Sequence, residues 1–202
     1  NTIALYLTDE WTITPKLRVG AVYTFMRRES IGRGLNLNAP VNGVRLDPAF
    51  GNIIEAVSDA SARQHTLGLN WQIGQLPPPV LPANAPRVDW KRIFVLGQYT
   101  FGVWDSNFDG QFSPPPSGTL ATEWGPTSSD ASQRVNFNLI TQTVKNLQIQ
   151  FRVNAASALP YTIRTGRDDN GDLIFNDRPE GVGRNTARGD SQWTMDAAFN
   201  YS

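Results

Sequence analysis

The sequence contains no cysteine, which excludes a disulfide framework and any thiolate metal site. It contains one histidine, His65, so a paired-histidine metal site is excluded and a Ser–His–Asp triad would rest on that single ring. No nucleophile-elbow motif, P-loop or GxGxxG accompanies it, and the expectation is that the chain is not an enzyme. Lysine is scarce: three of the 18 basic residues, which are balanced by 18 acidic ones. A net charge of zero gives no pull toward nucleic acid or any strongly charged partner. No run approaches 18 consecutive apolar residues, so no transmembrane helix is expected, although strands that span a membrane leave no such run. The opening residues Asn1–Tyr6 have neither a basic nor an apolar leader region, so no signal peptide is expected and the chain reads as starting inside a strand.

What is present is alternation with a period of two, set among 17 glycines and 14 prolines. Strands are predicted near 3–13, 17–25, 64–73, 92–103, 134–143, 147–155 and 192–201, and in each the odd-numbered positions carry the apolar side chains. Leu67, Leu69, Trp71 and Ile73 alternate with Thr66, Gly68, Asn70 and Gln72; Ile149, Phe151 and Val153 alternate with Gln150, Arg152 and Asn154. Successive side chains of a strand point to opposite faces, so every strand has one oily and one wet face.

Three features favour lipid over a protein core as the cover for the oily face. The wet faces carry Asn, Gln, Thr, Gly and Arg rather than the dense Lys/Glu mixture of a soluble sandwich, as suits a hydrated lumen. Connections alternate, with tight turns at Thr14-Pro15-Lys16 and Val144-Lys145-Asn146 and long excursions at 26–63, 104–133 and 156–191 on the opposite end. The link 74–91, with Pro77-Pro78-Pro79, is longer than such turns usually are. Oily-face aromatics fall near strand ends: Trp11, Trp71 and Tyr201 at the short-turn end, Tyr23, Phe25, Tyr99, Phe101 and Trp193 at the long-loop end. Amphipathic rings at two levels make the girdles of a membrane barrel. The expected fold is therefore all-β, an antiparallel transmembrane β-barrel segment of about seven strands with long extracellular loops. A bacterial barrel has an even number of strands, and open edges in lipid leave unpaired backbone groups. Residues 1–202 are accordingly expected to be a partial barrel domain.

Leu5–Phe25, with Asp9-Glu10-Trp11 before a short turn and an aromatic-ended strand, resembles the strand–turn–strand unit of TonB-dependent receptor barrels. Tyr99–Pro115, Glu123–Phe137 and above all Leu159–Gly189 resemble the Oar-like branch, whose members carry a carboxypeptidase-regulatory-like domain before the plug. The resemblance implies a barrel of about 22 strands, a plug, a location in the bacterial outer membrane, and coupling through the TonB complex to import a bulky ligand. The plug, the regulatory-like domain and the terminal strands lie outside this sequence. Outer-membrane lipid, lipopolysaccharide, the plug and the remaining strands are the expected partners.

Asp168, Asn170, Asp172 and Asp177 place oxygens at calcium-loop spacing around Gly171, making Ca2+ a candidate cofactor. Position twelve of an EF-hand loop would be Pro179 rather than Glu, and Asx residues with glycine also simply make turns. Asp105, Asn107, Asp109 and Gly110 repeat the spacing weakly, and turn formation takes precedence there. Arg164, Arg167 and Arg178, with Arg184 and Arg188, either grip an anionic ligand or tether their loop to Asp168, Asp172, Asp177 and Asp190; long loops need tethers, so the second reading takes precedence. Trp104, Phe108, Phe112 and Trp124 either stack on a ligand or pack their own loop, the commoner use. Arg27, Arg28 and Arg33 are expected as a solvated loop start, with lipopolysaccharide phosphate as the alternative. Tyr6, Glu10, Arg18, Asn70, Gln98, Arg134, Asn138, Gln150, Arg152, Asn154 and Asp196 are expected to line a lumen against the plug. The rivals to an importer are a soluble extracellular β-sandwich binding carbohydrate or protein, and a barrel serving adhesion or surface assembly.

Overall fold

The computed structural model describes residues 1–78, 80–110 and 113–201. Its strands are β1 (Thr2–Thr14), β2 (Leu17–Asn36), β3 (Ile54–Gly74), β4 (Ile93–Ser106), β5 (Gly125–Pro126), β6 (Gln133–Val144), β7 (Leu147–Ala156), β8 (Pro160–Tyr161), β9 (Ala187–Arg188) and β10 (Gln192–Tyr201), with no helix among the described residues. The seven long strands form one sheet in the order β1-β2-β3-β4-β6-β7-β10, and every neighbouring pair is antiparallel. β5 extends the ladder of β4, and β8 and β9 make a separate short ladder in the last long loop.

The register explains why one face is oily throughout. In the ladders of the seven long strands, outside the register shifts, odd positions pair with odd positions: Leu5↔Phe25, Tyr23↔Leu67, Leu69↔Tyr99, Val95↔Leu139, Phe137↔Val153 and Phe151↔Ala197. A slip of one residue in any ladder would turn that strand's apolar set to the wet side. The two tight turns hold this phase, with Thr14 closing onto Leu17 and Val144 onto Leu147. Asn146 takes a left-handed φ of 69°, which asparagine tolerates in such hairpins.

The oily face has no protein cover. Ile3, Leu5, Leu7, Leu69, Met195 and Phe199 are all exposed, and the buried apolar residues among those described are Ala60, Ala62, Phe94 and Ala158. A soluble domain of this length buries large aliphatic and aromatic side chains; three of these four are alanine. A two-layer sandwich would need a second sheet over Leu67, Leu69 and Ile73, and the described residues supply none. The chain is a single curved layer, oily on one side and polar on the other: an open arc of barrel wall.

Two expectations are corrected. Residues 26–63 are not one long excursion, because β2 and β3 continue as a paired ribbon to Asn36↔Ile54, leaving a loop of residues 37–53. Register breaks between Arg28 and Gly32, with Ser30 at a φ of 58°, interrupt the alternation there. A ribbon standing in water needs no oily face, so it carried no periodic signal. Arg33 is accordingly no solvated loop start. It is buried in that ribbon, with Nε and Nη2 donating to the two carboxylate oxygens of Asp59 at 2.6 and 2.7 Å. The long link 74–91 is tied to the short-turn end: Asp89 N donates to Thr143 O at 2.8 Å, Lys145 N to Arg87 O at 2.8 Å, and Lys145 Nζ to Ala83 O at 2.6 Å.

Candidate functional site

Three loops meet at the long-loop end, formed by residues 37–53, 107–132 and 157–191. The first is folded around Asn38, which is 1% exposed; its Nδ2 serves the carbonyls of Asp47, Phe50 and Gly51 at 2.8–3.0 Å, and its Oδ1 accepts from Asp47 N at 2.8 Å. The other two are bolted together by arginine. Arg184 is 1% exposed, and its guanidinium donates to Glu123 O at 2.9 Å, Asp109 Oδ1 at 2.6 Å, Ser106 Oγ at 2.9 Å and Gly125 O at 2.9 Å, with a further bond to Ser106 O. Arg178 grips both oxygens of buried Glu123 at 3.0 and 2.5 Å, a bidentate charge-assisted pair. Arg188 donates to Asp130 Oδ2 at 2.9 Å and to the carbonyls of Asp130 and Ala158.

The first loop joins the third through Arg45 Nη2 and Gly171 O at 3.0 Å, and Asn170 and Asn176 of the third donate to Pro116 O and Pro114 O of the second at 2.8 and 3.1 Å. The arginines are therefore tethers, but between loops. Their partners are Glu123, Asp109 and Asp130 rather than the acids of their own loop.

The expected ligand-gripping residues are dispersed. Trp104, half-buried on the wet side, borders a cavity of about 70 Å3 with Gln64 and Arg134, while Phe108 borders a void of about 10 Å3 beside Arg33 and Glu123. Trp124 is exposed and has the Arg63 guanidinium over its ring at 5.0 Å, a cation–π contact. Phe112 lies outside the described residues. Arg164 is exposed, Arg167 is exposed 3.3 Å from Asp169, and Arg178 is committed to Glu123.

In the acidic loop each side chain caps a turn. Asp168 Oδ2 accepts from Leu173 N at 3.0 Å, Asn170 Oδ1 from Asp172 N at 2.8 Å, Asp172 Oδ1 from Ile174 N at 2.7 Å, and Asp177 Oδ2 from Asp169 N at 2.8 Å. Among the described residues no three acid or histidine side chains converge to hold a metal. Two buried oxygens, Asp168 Oδ1 and Asn176 Oδ1, have no hydrogen-bond partner. Burial pushes the Asp172 carboxyl above its ordinary value, and the neighbouring charges of Asp168 and Asp177 push the same way.

Beside this loop lies a cavity of about 290 Å3, bordered by Leu35 and Pro40 on one side, Pro114 and Pro116 on the other, and Asn170 and Asp172 beneath. Sequence reasoning missed this cavity and the roles of Glu123, Asp109 and Asp130. Their partners lie 55–75 positions away, and no local pattern announces such a pairing.

The wet face of the sheet is polar across neighbouring strands. Gln98, Asn136 and Asn154 stand opposite one another on β4, β6 and β7, Gln150 Nε2 donates to Asn138 Oδ1 at 3.2 Å, and Arg152 borders the same hollow. On the oily face His65 has Nδ1 2.9 Å from the Tyr23 hydroxyl and its ring 4.9 Å from that of Phe25.

No protein-family model matches the sequence, and no curated protein does. Among solved structures, the chain is similar to the outer membrane transporter YddB from Escherichia coli, at 13% sequence identity and a TM-score of 0.62. The likeness covers 99% of this chain and 26% of that one, so the chain spans about a quarter of that transporter's length. At this identity what is shared is the fold: the antiparallel wall of an outer-membrane transporter barrel, over seven consecutive long strands.

Proposed function

We propose that this chain is part of the barrel of a TonB-dependent receptor of the Oar-like branch, set in the bacterial outer membrane and importing a bulky ligand. The observation that carries the reading is the odd-to-odd register shared by the long strands from the short-turn end to Arg28, which leaves an apolar face with no protein over it among the described residues. A bare apolar face of this extent is unstable in water and stable against hydrocarbon. The shortest long strand, β10, has 10 residues, which at ~3.3 Å per residue and ~40° of tilt gives about 25 Å of height, the apolar band of an outer-membrane barrel. On this reading further strands complete the wall, the even face packs on a plug, and the three-loop cap faces outward toward ligand and lipopolysaccharide. Coupling to TonB belongs to the receptor's other parts.

Residues 1–202 hold no cysteine, so the test needs only that any cysteine elsewhere in the complete protein be replaced first. In the complete protein in cells or vesicles, Asn70→Cys reacts with a water-borne maleimide and Leu69→Cys does not. Equal reaction at both positions removes the bilayer from the argument. Transport is tested separately: deletion lowers uptake of the receptor's ligand only while the inner membrane is energised. Loss of cell–cell contact with unchanged uptake would assign the barrel to adhesion instead.

A further inference from the structure

We infer that the cavity between the three loops is a receptor site for a small organic ammonium ion, with Asp172 as its anionic floor and prolines as its walls. Asp172 is 4% exposed and borders the void. It has one backbone donor, Ile174 N, the neighbouring Asn170 side chain also favours its charged form, and none of the ion pairs among the described residues includes it. Of the arginines of the last loop, Arg167 is paired with Asp169, Arg178 with Glu123, Arg184 with Asp109 and Arg188 with Asp130, while Arg164 is exposed, forms no ion pair among the described residues and does not border the cavity. Arg45 reaches only the carbonyl of Gly171. The charges that act on Asp172 are those of Asp168 and Asp177, both negative. A buried carboxylate in a negative field beside an open space is costly until a counter-charge enters that space.

The shape of the site selects the kind of cation. A calcium ion needs six to eight oxygens at bonding distance, and no three acids converge here. An organic ammonium needs a field, one or two acceptors and apolar contact for its carbon skeleton. Leu35, Pro40, Pro114 and Pro116 supply the contact. The Asn170 side chain is held in place by its bond to Pro116 O. A volume of about 290 Å3 lies at the small end of ligand pockets. The inference rests on the outer-membrane reading only for the side from which the ion arrives.

The test is calorimetric titration of the complete protein in detergent with phenethylammonium chloride, with 2-phenylethanol as the neutral probe of like shape. Phenethylammonium is expected to bind at least tenfold more tightly than the alcohol. Asp172→Asn is expected to weaken it at least tenfold while the loop's amide exchange is no faster than in the native protein. Ala39→Trp, at another residue lining the cavity, is expected to fill it and abolish binding. Equal affinity for the two probes, an unaffected Asp172→Asn variant, no heat at millimolar phenethylammonium, or calcium binding that displaces it would each overturn the proposal. None of these outcomes alters the maleimide pattern, so failure here and failure of the membrane reading are distinguishable.

Discussion

Arg184 holds the cap by satisfying backbone oxygens as well as charge. Exchange for methionine leaves Glu123 O, Ser106 O and Gly125 O without their donor, and a buried acceptor left unpaired costs about 1–3 kcal/mol. Arg184→Met is therefore expected to destabilise the cap by ~3 kcal/mol. Amide exchange should speed up across 107–132 and 157–191 and stay unchanged in β1, whose residues form no hydrogen bond or ion pair with Arg184. The Arg178–Glu123 pair behaves differently, because both partners are buried and each alone is a stranded charge. Removing one partner of such a pair costs about 3–5 kcal/mol, whereas replacing both with apolar side chains is near neutral. Glu123→Leu is thus expected to be rescued in large part by Arg178→Met, read as recovery of cap protection in the double variant.

Asp172 gives the cap a pH dependence of opposite sign to an ion-paired acid. Its folded-state value lies above the ordinary 3.8, so on acidification the folded cap takes up this proton before the unfolded chain does. The group therefore adds stability as pH falls through its raised value, and the gain is complete below 3.8. Asp172→Asn has that gain at neutral pH already. The variant's loop 166–177 is expected to exchange more slowly than the native loop at neutral pH, with the difference shrinking as pH falls. A constant difference would mean that the side chain acts through shape alone.

At the scale of elements, the strands were legible in the sequence because their cause is local. Each has one face in contact with an apolar medium, and alternation records that contact residue by residue. Where β2 and β3 run on past Arg28 and Gln64, both faces are polar surroundings and the record stops, although the ladder continues. Of the site, the second and third long loops were legible, whereas Arg178, Arg184 and Arg188 tether to acids of another loop rather than to those of their own. The pairings Arg184–Asp109 and Arg178–Glu123, and the proline-walled cavity, depend on how one loop lies on another and have no periodic trace.

Cross-strand pairs at the short-turn end were equally silent, and one of them is testable. Gly97 on β4 stands opposite Trp71 on β3, and a Cβ at residue 97 would overlap the indole ring. The ring covers the glycine, so a side chain there displaces it from the girdle. Gly97→Val is expected to cost about 1–3 kcal/mol, as overpacking does, read by urea unfolding in micelles. Trp71→Ala in the same chain should recover most of it.

At the scale of the whole molecule, what matters is which solvent each face meets. Leu69 and Asn70 are neighbours on β3, within the stretch Ala62–Ile73 that pairs with both β2 and β4, and their side chains leave the sheet on opposite sides. Leu69 pairs with Ala21 and Tyr99, Asn70 with Gly20 and Gln98. An arginine at residue 69 would stand in hydrocarbon, where it costs about 2–4 kcal/mol near the midplane. An arginine at residue 70 would join the polar face, which already holds Arg18, Arg134 and Arg152. Refolding of the complete protein into phospholipid vesicles, followed by the gel-mobility shift of the folded barrel, separates the two: Leu69→Arg lowers the folded fraction and Asn70→Arg leaves it near native. The size of the Leu69→Arg effect should fall when the same substitution is made at Ile13 or Ile73, at the short-turn ends of β1 and β3, because the cost of a charge declines toward the headgroups. A protein interior imposes no such gradient along a strand. An equal penalty at all three positions would mean that the oily face packs against protein.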